Sequence, residues 1–192
     1  YAVDIIGHPG KSDEISLSSR GYSYGKWASE VIDKIGFRNI MCYGGSFGGG
    51  VLAKLMCISP EKVERCVLEV PSGINNAFPI SSAKMMIPLI KYTNGEDIID
   101  EDTKDILKDS FDNVKTKVAM PSNTDKNRMN KFKAPAFVLA GEYDCLFPAK
   151  RVIKRAKEII PNVRTYELRG RGHMHILTNK EKQMIIDFLK EL

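Results

Sequence analysis

One pentapeptide constrains this chain more than any other stretch. Gly44-Gly45-Ser46-Phe47-Gly48 follows an apolar run directly, and a helix-like run begins at Val51. Glycines let a strand and a helix approach closely, and a serine on such a sharp turn holds its hydroxyl clear of the sheet. The pattern therefore predicts a nucleophilic Ser46, with the positive N-terminal end of a helix facing any oxyanion formed there. The pentapeptide alone is common by chance, so partner residues elsewhere in the chain must show whether Ser46 is a nucleophile.

Length and composition predict one globular domain. The chain has 192 residues, of which 43% are hydrophobic and 28% charged, which is enough for a sizeable core. The net charge of +5 is small and its basic residues are interleaved with acids, which argues against a nucleic-acid or membrane partner. We find no apolar run as long as a bilayer span and no signal peptide. The cysteines lack metal-ligand spacing, so we expect free thiols in a cytoplasmic protein: Cys42, Cys57, Cys66 and Cys145.

Strand-like and helix-like runs alternate in the first third of the chain. Residues 1–6 are predicted as a strand, and a helix that ends near Gly36 follows. The strand before Ser46, its helix and a further apolar run at 66–70 come next. Such alternation predicts right-handed crossovers and an α/β fold with a mostly parallel sheet.

The same alternation resumes in the last third. Residues 136–140 and 163–168 are predicted as strands, and Pro148 suits the first turn of the helix between them. Residues 178–181 form a capping box that starts the final helix. Both ends of the chain therefore contribute to one sheet.

Residues 72–133 interrupt the pattern with helical segments and loops. We therefore predict a core formed by residues 1–71 and 134–192, and a helical cap insertion formed by residues 72–133. Apolar side chains of this insertion are candidates for a wall over an apolar substrate: Phe78, Ile80, Met85, Met86 and Ile87. Phe147, close to the turn after residues 136–140, is a further substrate-binding candidate.

A serine nucleophile needs a base and an acid that orients the base. Asp144 and His173 each follow a later predicted strand, and parallel sheets present active groups at the carboxyl ends of their strands. The chain order of serine, aspartate and histidine is the order expected for an elbow serine. Glu69 is a rival acid and His175 a rival base, whereas His8 is predicted to be structural.

The chain resembles the alpha/beta-hydrolase superfamily from that fold's fourth strand onwards. Four motifs carry the resemblance, in the family's order: the loop 4–12, the elbow 44–48, the acid turn 141–144 and the histidine loop 170–173. The resemblance implies Ser46 as nucleophile, Asp144 as acid and His173 as base, with no cofactor or metal. It also implies that the Phe47 backbone N–H is one oxyanion donor, and that the insertion is the family's cap.

One departure from the family pattern concerns the N-terminal strands. The family takes its second oxyanion donor from the loop after its third strand, and neither that loop nor that strand is recognisable here. A strand at residues 1–6 would then have unpaired backbone groups. We expect a further N-terminal segment of roughly 50 residues to supply both features.

The predicted function is that of a carboxylesterase-like serine hydrolase acting on a small or medium apolar ester. Carbon–carbon bond hydrolases and acyltransferases share the same triad and remain open. A dinucleotide-binding unit would use Gly48-x-Gly50-x-x-Ala53 and Glu69, but its first glycine comes late after the strand. A non-catalytic binder on the same scaffold and a homo-oligomer are also left open.

Overall fold

A computed structural model describes residues 1–75 and 119–191, together with Asp102, Asp105 and Asp109. In these residues one sheet has the strand order β1-β2-β3-β4, and all its neighbouring strands are parallel. The strands are β1 (Ile40–Gly45), β2 (Val63–Glu69), β3 (Ala136–Gly141) and β4 (Val163–Leu168). The helices are α1 (Ser23–Ile35), α2 (Ser46–Ile58), α3 (Lys126–Met129), α4 (Ala149–Ile159) and α5 (Asn179–Lys190). The predicted α/β class with a parallel sheet is confirmed.

Apolar clusters cover both faces of the sheet. On one face α2 and α4 pack against the strands, with Leu55 and Val152 fully buried. On the other face α5 contributes Ile185 and Phe188 against side chains of β2, β3 and β4. All six residues of β3 are buried, as expected for a parallel strand covered on both sides.

The prediction of a strand at residues 1–6 is wrong. These residues form no strand, and residues 1–4 are exposed. Asp4 instead organises the following loop, because its carboxylate accepts from the Lys11 backbone N–H at 2.9 Å and its carbonyl accepts from the Ser12 hydroxyl at 2.6 Å. An alternating sequence becomes a strand only where a neighbour supplies ladder hydrogen bonds, and no described strand pairs with this segment.

Strand β1 lies at an edge of the sheet in the described part of the chain. Two of its side chains, Met41 and Tyr43, are 54% and 51% exposed. They border a groove of about 770 Å³ that α1 and residues 1–5 also line. The groove does not include Ser46, Asp144 or His173. A separate N-terminal segment stays a prediction.

Both described ends of the predicted cap pack into the core. Ile74, Met129 and Phe132 are fully buried in the cluster that covers α2 and α4. The Thr124 backbone N–H donates to the Gly73 carbonyl at 2.7 Å, which joins the two ends. The division at residues 72–133 stays a prediction. Its substrate-wall candidates lie outside the described residues: Phe78, Ile80, Met85, Met86 and Ile87.

Two predicted helix ends are observed, whereas Pro148 is the N-cap of α4 and not a residue of its first turn. Gly36 ends α1 in the left-handed conformation with φ of 90°, and Thr178 and Glu181 form a reciprocal capping box at α5. Glu181 also accepts a 2.7 Å hydrogen bond from Arg171, and both side chains are 8% exposed. This ion pair ties the loop after β4 to the last helix. No helix of the described part is long and apolar enough to cross a membrane.

We expect Gly25→Ala to destabilise the protein. A Cβ at Gly25 would lie 2.7 Å from the backbone carbonyl carbon of Lys54, so the substitution forces α1 and α2 apart. The free energy of unfolding in urea should fall by about 1–3 kcal/mol. Gly21→Ala is the control, because a Cβ there meets nothing within 4 Å. Equal losses in the two variants would contradict this close packing.

The ion pair of Glu181 predicts a pH-dependent contribution to stability. Burial alone would raise the pKa of Glu181, but hydrogen bonds from Arg171 and Thr178 outweigh it and hold the pKa below its ordinary value. The contribution is therefore present above the unfolded-state value of about 4.3 and is lost as pH falls through the lower folded-state value.

Glu181→Gln should lower the free energy of unfolding at pH 7 by about 1–3 kcal/mol. Chemical denaturation from pH 7 down to about pH 3 should show the difference from wild type shrinking below the ordinary glutamate pKa. Glu158→Gln is the control, since that carboxylate is 44% exposed and 3.7 Å from Arg155. A pH-independent difference for Glu181→Gln would contradict the charge assignment.

Candidate active site

Ser46 occupies the sharp turn that the pentapeptide predicted. It is the first residue of α2 and has a φ of 46°, a conformation that non-glycine residues rarely adopt. The turn is tight, because a Cβ at Gly44 would lie 2.8 Å from the backbone of Gly48. The Ser46 carbonyl accepts from the Ser72 N–H at 3.0 Å, which fixes the turn against the loop after β2.

Three side chains that lie far apart in the sequence meet at the carboxyl ends of the strands. Ser46 Oγ lies 2.7 Å from His173 Nε2, and His173 Nδ1 lies 2.9 Å from Asp144 Oδ2. Ser46 follows β1, Asp144 follows β3 and His173 follows β4. The structure therefore brings together the predicted nucleophile, acid and base.

Asp144 is held rigidly for its contact with the histidine. Its side chain is fully buried, and its other oxygen, Oδ1, accepts from the backbone N–H groups of Leu146 and Phe147 at 2.8 and 2.9 Å. Because a carboxylate oxygen accepts from His173 Nδ1–H, Nε2 of the neutral ring is free to accept the proton of Ser46. The geometry therefore suits a general base at His173.

Phe147 lies at this site in a supporting position. Its ring packs against the His173 imidazole with centroids 5.6 Å apart, and the residue is only 1% exposed. Its backbone N–H holds Asp144, so Phe147 orients both partners of the histidine–aspartate pair. Its predicted contact with substrate stays a prediction.

Phe47 occupies the first turn of α2, where backbone N–H groups lack partners within the helix. Its N–H is therefore placed to bind an oxyanion at Ser46, with the helix dipole adding to the field. Its ring lies edge-on between His8, at 4.3 Å, and Tyr24, at 5.2 Å. His8 thus packs against the elbow, and burial lowers its pKa. A second oxyanion donor stays a prediction.

The rival acid and the rival base contact each other. Glu69 Oε1 lies 2.7 Å from His175 Nε2, whereas Asp144 and His173 pair with each other beside Ser46. Tyr43, which the sequence analysis did not single out, donates its hydroxyl to Glu69 Oε2. Burial, and then the hydrogen bond to Glu69, raise the pKa of Tyr43. The sequence signal that could have identified Tyr43 was the alternation of side chains along β1, since Tyr43 and Gly45 point to the same face of the sheet.

The glycines of the dinucleotide fingerprint serve chain packing instead. Gly48 and Gly50 lie inside α2, not in the turn that would receive a pyrophosphate. A Cβ at Gly50 would lie 2.1 Å from Ser72 Oγ. In the described residues, no group of three or more histidine, cysteine or acidic side chains is arranged to hold a metal ion.

Two curated proteins are similar to most of this chain. No family model matches the chain. The carboxylesterase YbfK of Bacillus subtilis is 24% identical over 98% of this chain and 70% of its own length. The uncharacterized carboxylesterase nap of Bacillus subtilis is 21% identical over 91% of this chain, which spans only 64% of that protein.

The solved structures extend the likeness to three dimensions. The crystal structure of carboxylesterase CesB (YbfK) from Bacillus subtilis superposes with a TM-score of 0.75 at 22% identity, over 97% of this chain and 72% of that one. These findings confirm the predicted resemblance to carboxylesterase-like alpha/beta-hydrolases, and the chain has the alpha/beta-hydrolase fold.

Proposed function

We propose that this chain is a serine hydrolase that cleaves carboxylic esters through an acyl-enzyme on Ser46. The observation that carries the proposal is the continuous contact from Ser46 Oγ to His173 Nε2 and from His173 Nδ1 to Asp144, at 2.7 and 2.9 Å. The names of the two carboxylesterase relatives support the choice of esters as the substrate class.

The first half of the reaction forms the acyl-enzyme. His173 Nε2 takes the hydroxyl proton as Ser46 Oγ attacks the ester carbonyl carbon. Asp144 stabilises the imidazolium that results, and the Phe47 N–H donates to the oxyanion of the tetrahedral intermediate. The imidazolium then gives its proton to the leaving alcohol as the carbon–oxygen bond breaks.

The second half of the reaction releases the carboxylic acid product. His173 deprotonates a water molecule, which attacks the acyl carbon and forms a second tetrahedral intermediate. The collapse of that intermediate returns the proton from His173 to Ser46 Oγ. The strained φ of Ser46 keeps its hydroxyl exposed to substrate and water through both halves.

The substrate that we propose is a small or medium apolar ester. The apolar residues of the predicted cap support this size class, with Met85 and Met86 as the central candidates. The free thiols support a reducing, cytoplasmic compartment: Cys42, Cys57, Cys66 and Cys145. Burial raises the pKa of Cys57 to about 12, which makes that thiol an inert core residue.

Ser46→Ala should abolish ester hydrolysis and covalent labelling by a fluorophosphonate probe. The substitution removes the nucleophile and leaves the rest of the site in place. Wild-type protein should gain one adduct by intact-mass measurement, and peptide mapping should place it on Ser46. Ser18→Ala, at an exposed position, is the control and should label like wild type.

Folded wild-type protein that hydrolyses no p-nitrophenyl ester and takes no label would contradict the proposal and would favour a non-catalytic binder. A panel of p-nitrophenyl esters of increasing acyl length, run on the same protein, measures the size of the acyl site. Label without ester turnover would instead point to the carbon–carbon hydrolases or acyltransferases.

Asp144→Asn should lower kcat about 10⁴-fold with little change in the fold. An amide at this position donates towards His173 Nδ1 and so favours the tautomer whose Nε2 carries a proton and cannot deprotonate Ser46. Stopped-flow measurement of acyl-enzyme formation isolates this step. A smaller loss than that of Glu69→Gln would contradict the assignment of Asp144 as the acid.

A further inference from the structure

Glu69 and His175 form a second carboxylate–histidine pair beside the first. Glu69 Oε1 and His175 Nε2 lie 2.7 Å apart, and the side chains are 9% and 2% exposed. The two atoms are in close contact, but they do not form an aligned hydrogen bond, because Nε2 of the His175 ring does not point at the carboxyl oxygen. The proposed reaction uses neither residue, so the cost of burying them is unexplained.

The contacts of this pair hold it at both ends. His175 Nδ1 lies 3.1 Å from the Gly172 carbonyl oxygen, which can only accept, so Nδ1 donates. The Tyr43 hydroxyl donates to Glu69 Oε2. Glu69 and His175 are therefore each fixed by a second partner as well as by their mutual contact.

The pair connects the strand that carries the nucleophile to the turn that carries the base. Glu69 is the register partner of Gly45, the residue immediately before Ser46. At the other end, His175 holds the carbonyl of Gly172, the residue immediately before His173. A displacement of Glu69 relative to His175 would therefore change the separation of Ser46 and His173.

Backbone strain marks the same place. Ser46 and Val70 are the two non-glycine residues with positive φ in the described part of the chain, and Val70 directly follows Glu69. A β-branched residue at φ of 39° is strained, and such strain persists where the surrounding structure imposes it. The Val70 N–H donates to the Leu139 carbonyl at 2.8 Å, which holds the strained turn on β3.

We infer that the Glu69–His175 contact positions the turn that carries His173, so that Nε2 of His173 stays within reach of Ser46 Oγ. This inference rests on the serine chemistry proposed above. Glu69 and His175 are positioning residues that act through His173, and Tyr43 holds Glu69 in place. They should affect the step in which His173 moves a proton and not the binding of substrate.

Glu69→Gln and His175→Asn test the contact with minimal changes of shape. Glu69→Gln replaces the carboxyl group but can still accept from Tyr43, and His175→Asn can still donate to the Gly172 carbonyl but cannot reach Glu69. In each variant kcat per labelled site and the fluorophosphonate labelling rate should fall together, by up to about 100-fold, with KM little changed. The double variant should lose no more than either single one.

Glu64→Gln is the matched control, because Glu64 lies exposed on the same strand. It should keep the wild-type kcat and labelling rate. A merely structural role of Glu69 would lower the amount of folded protein and leave kcat per labelled site unchanged, and that result would overturn the inference.

A measurement on wild-type protein keeps the inference testable where a variant does not fold. The chain has 3 histidines, so ¹⁵N-histidine spectra are readily assigned, by the signal lost in His8→Gln and by the His173 signal that shifts on phosphonylation. We expect the remaining residue, His175, to carry a proton on Nδ1, as its contact with the Gly172 carbonyl requires, and a His175 without a proton on Nδ1 would overturn the inference. Wild-type protein that takes no label counts against the proposed function instead.

Discussion

The active site depends on the backbone conformation of Ser46. Its φ of 46° costs energy for a side chain with a Cβ, and the surrounding structure holds it there. The loop after β2 supplies that support, since the Ser72 N–H binds the Ser46 carbonyl and Pro71 packs where a Cβ at Gly49 would collide, at 2.8 Å. The small residues of the elbow are therefore required by the contact between α2 and this loop. They also permit the strained φ of Ser46.

The acid turn and the histidine loop are positioned by a similar backbone contact. A Cβ at Gly141 would lie 2.7 Å from the Gly172 carbonyl oxygen, and the Tyr143 N–H donates to the Arg171 carbonyl at 2.9 Å. The ion pair between Arg171 and Glu181 fastens the same loop to α5. His173 is thus placed by rigid neighbours on both sides. This placement explains how a side chain on a loop keeps a 2.7 Å contact with Ser46.

The sequence predicted the fold class, and the structure brings together the three residues that the sequence predicted as a triad. Each was identified by the kind of residue that follows a strand, because the carboxyl ends of parallel strands meet at one edge. Residues 1–6 show where this reasoning fails, since an alternating pattern cannot reveal whether a neighbouring strand is there to pair with it. Glu69 and His175 show a second failure. Residue type and position made them rivals of Asp144 and His173, whereas in space they pair with each other.

The sequence by itself determined the alternation of β1 to β4 with α1, α2, α4 and α5, the elbow at Ser46 and the capping box that begins α5. These features depend on local rules of periodicity, glycine conformation and helix capping, which act between residues close together in the chain. Only the tertiary structure decided which acid serves which histidine. That choice depends on distances of a few ångströms between residues on different strands.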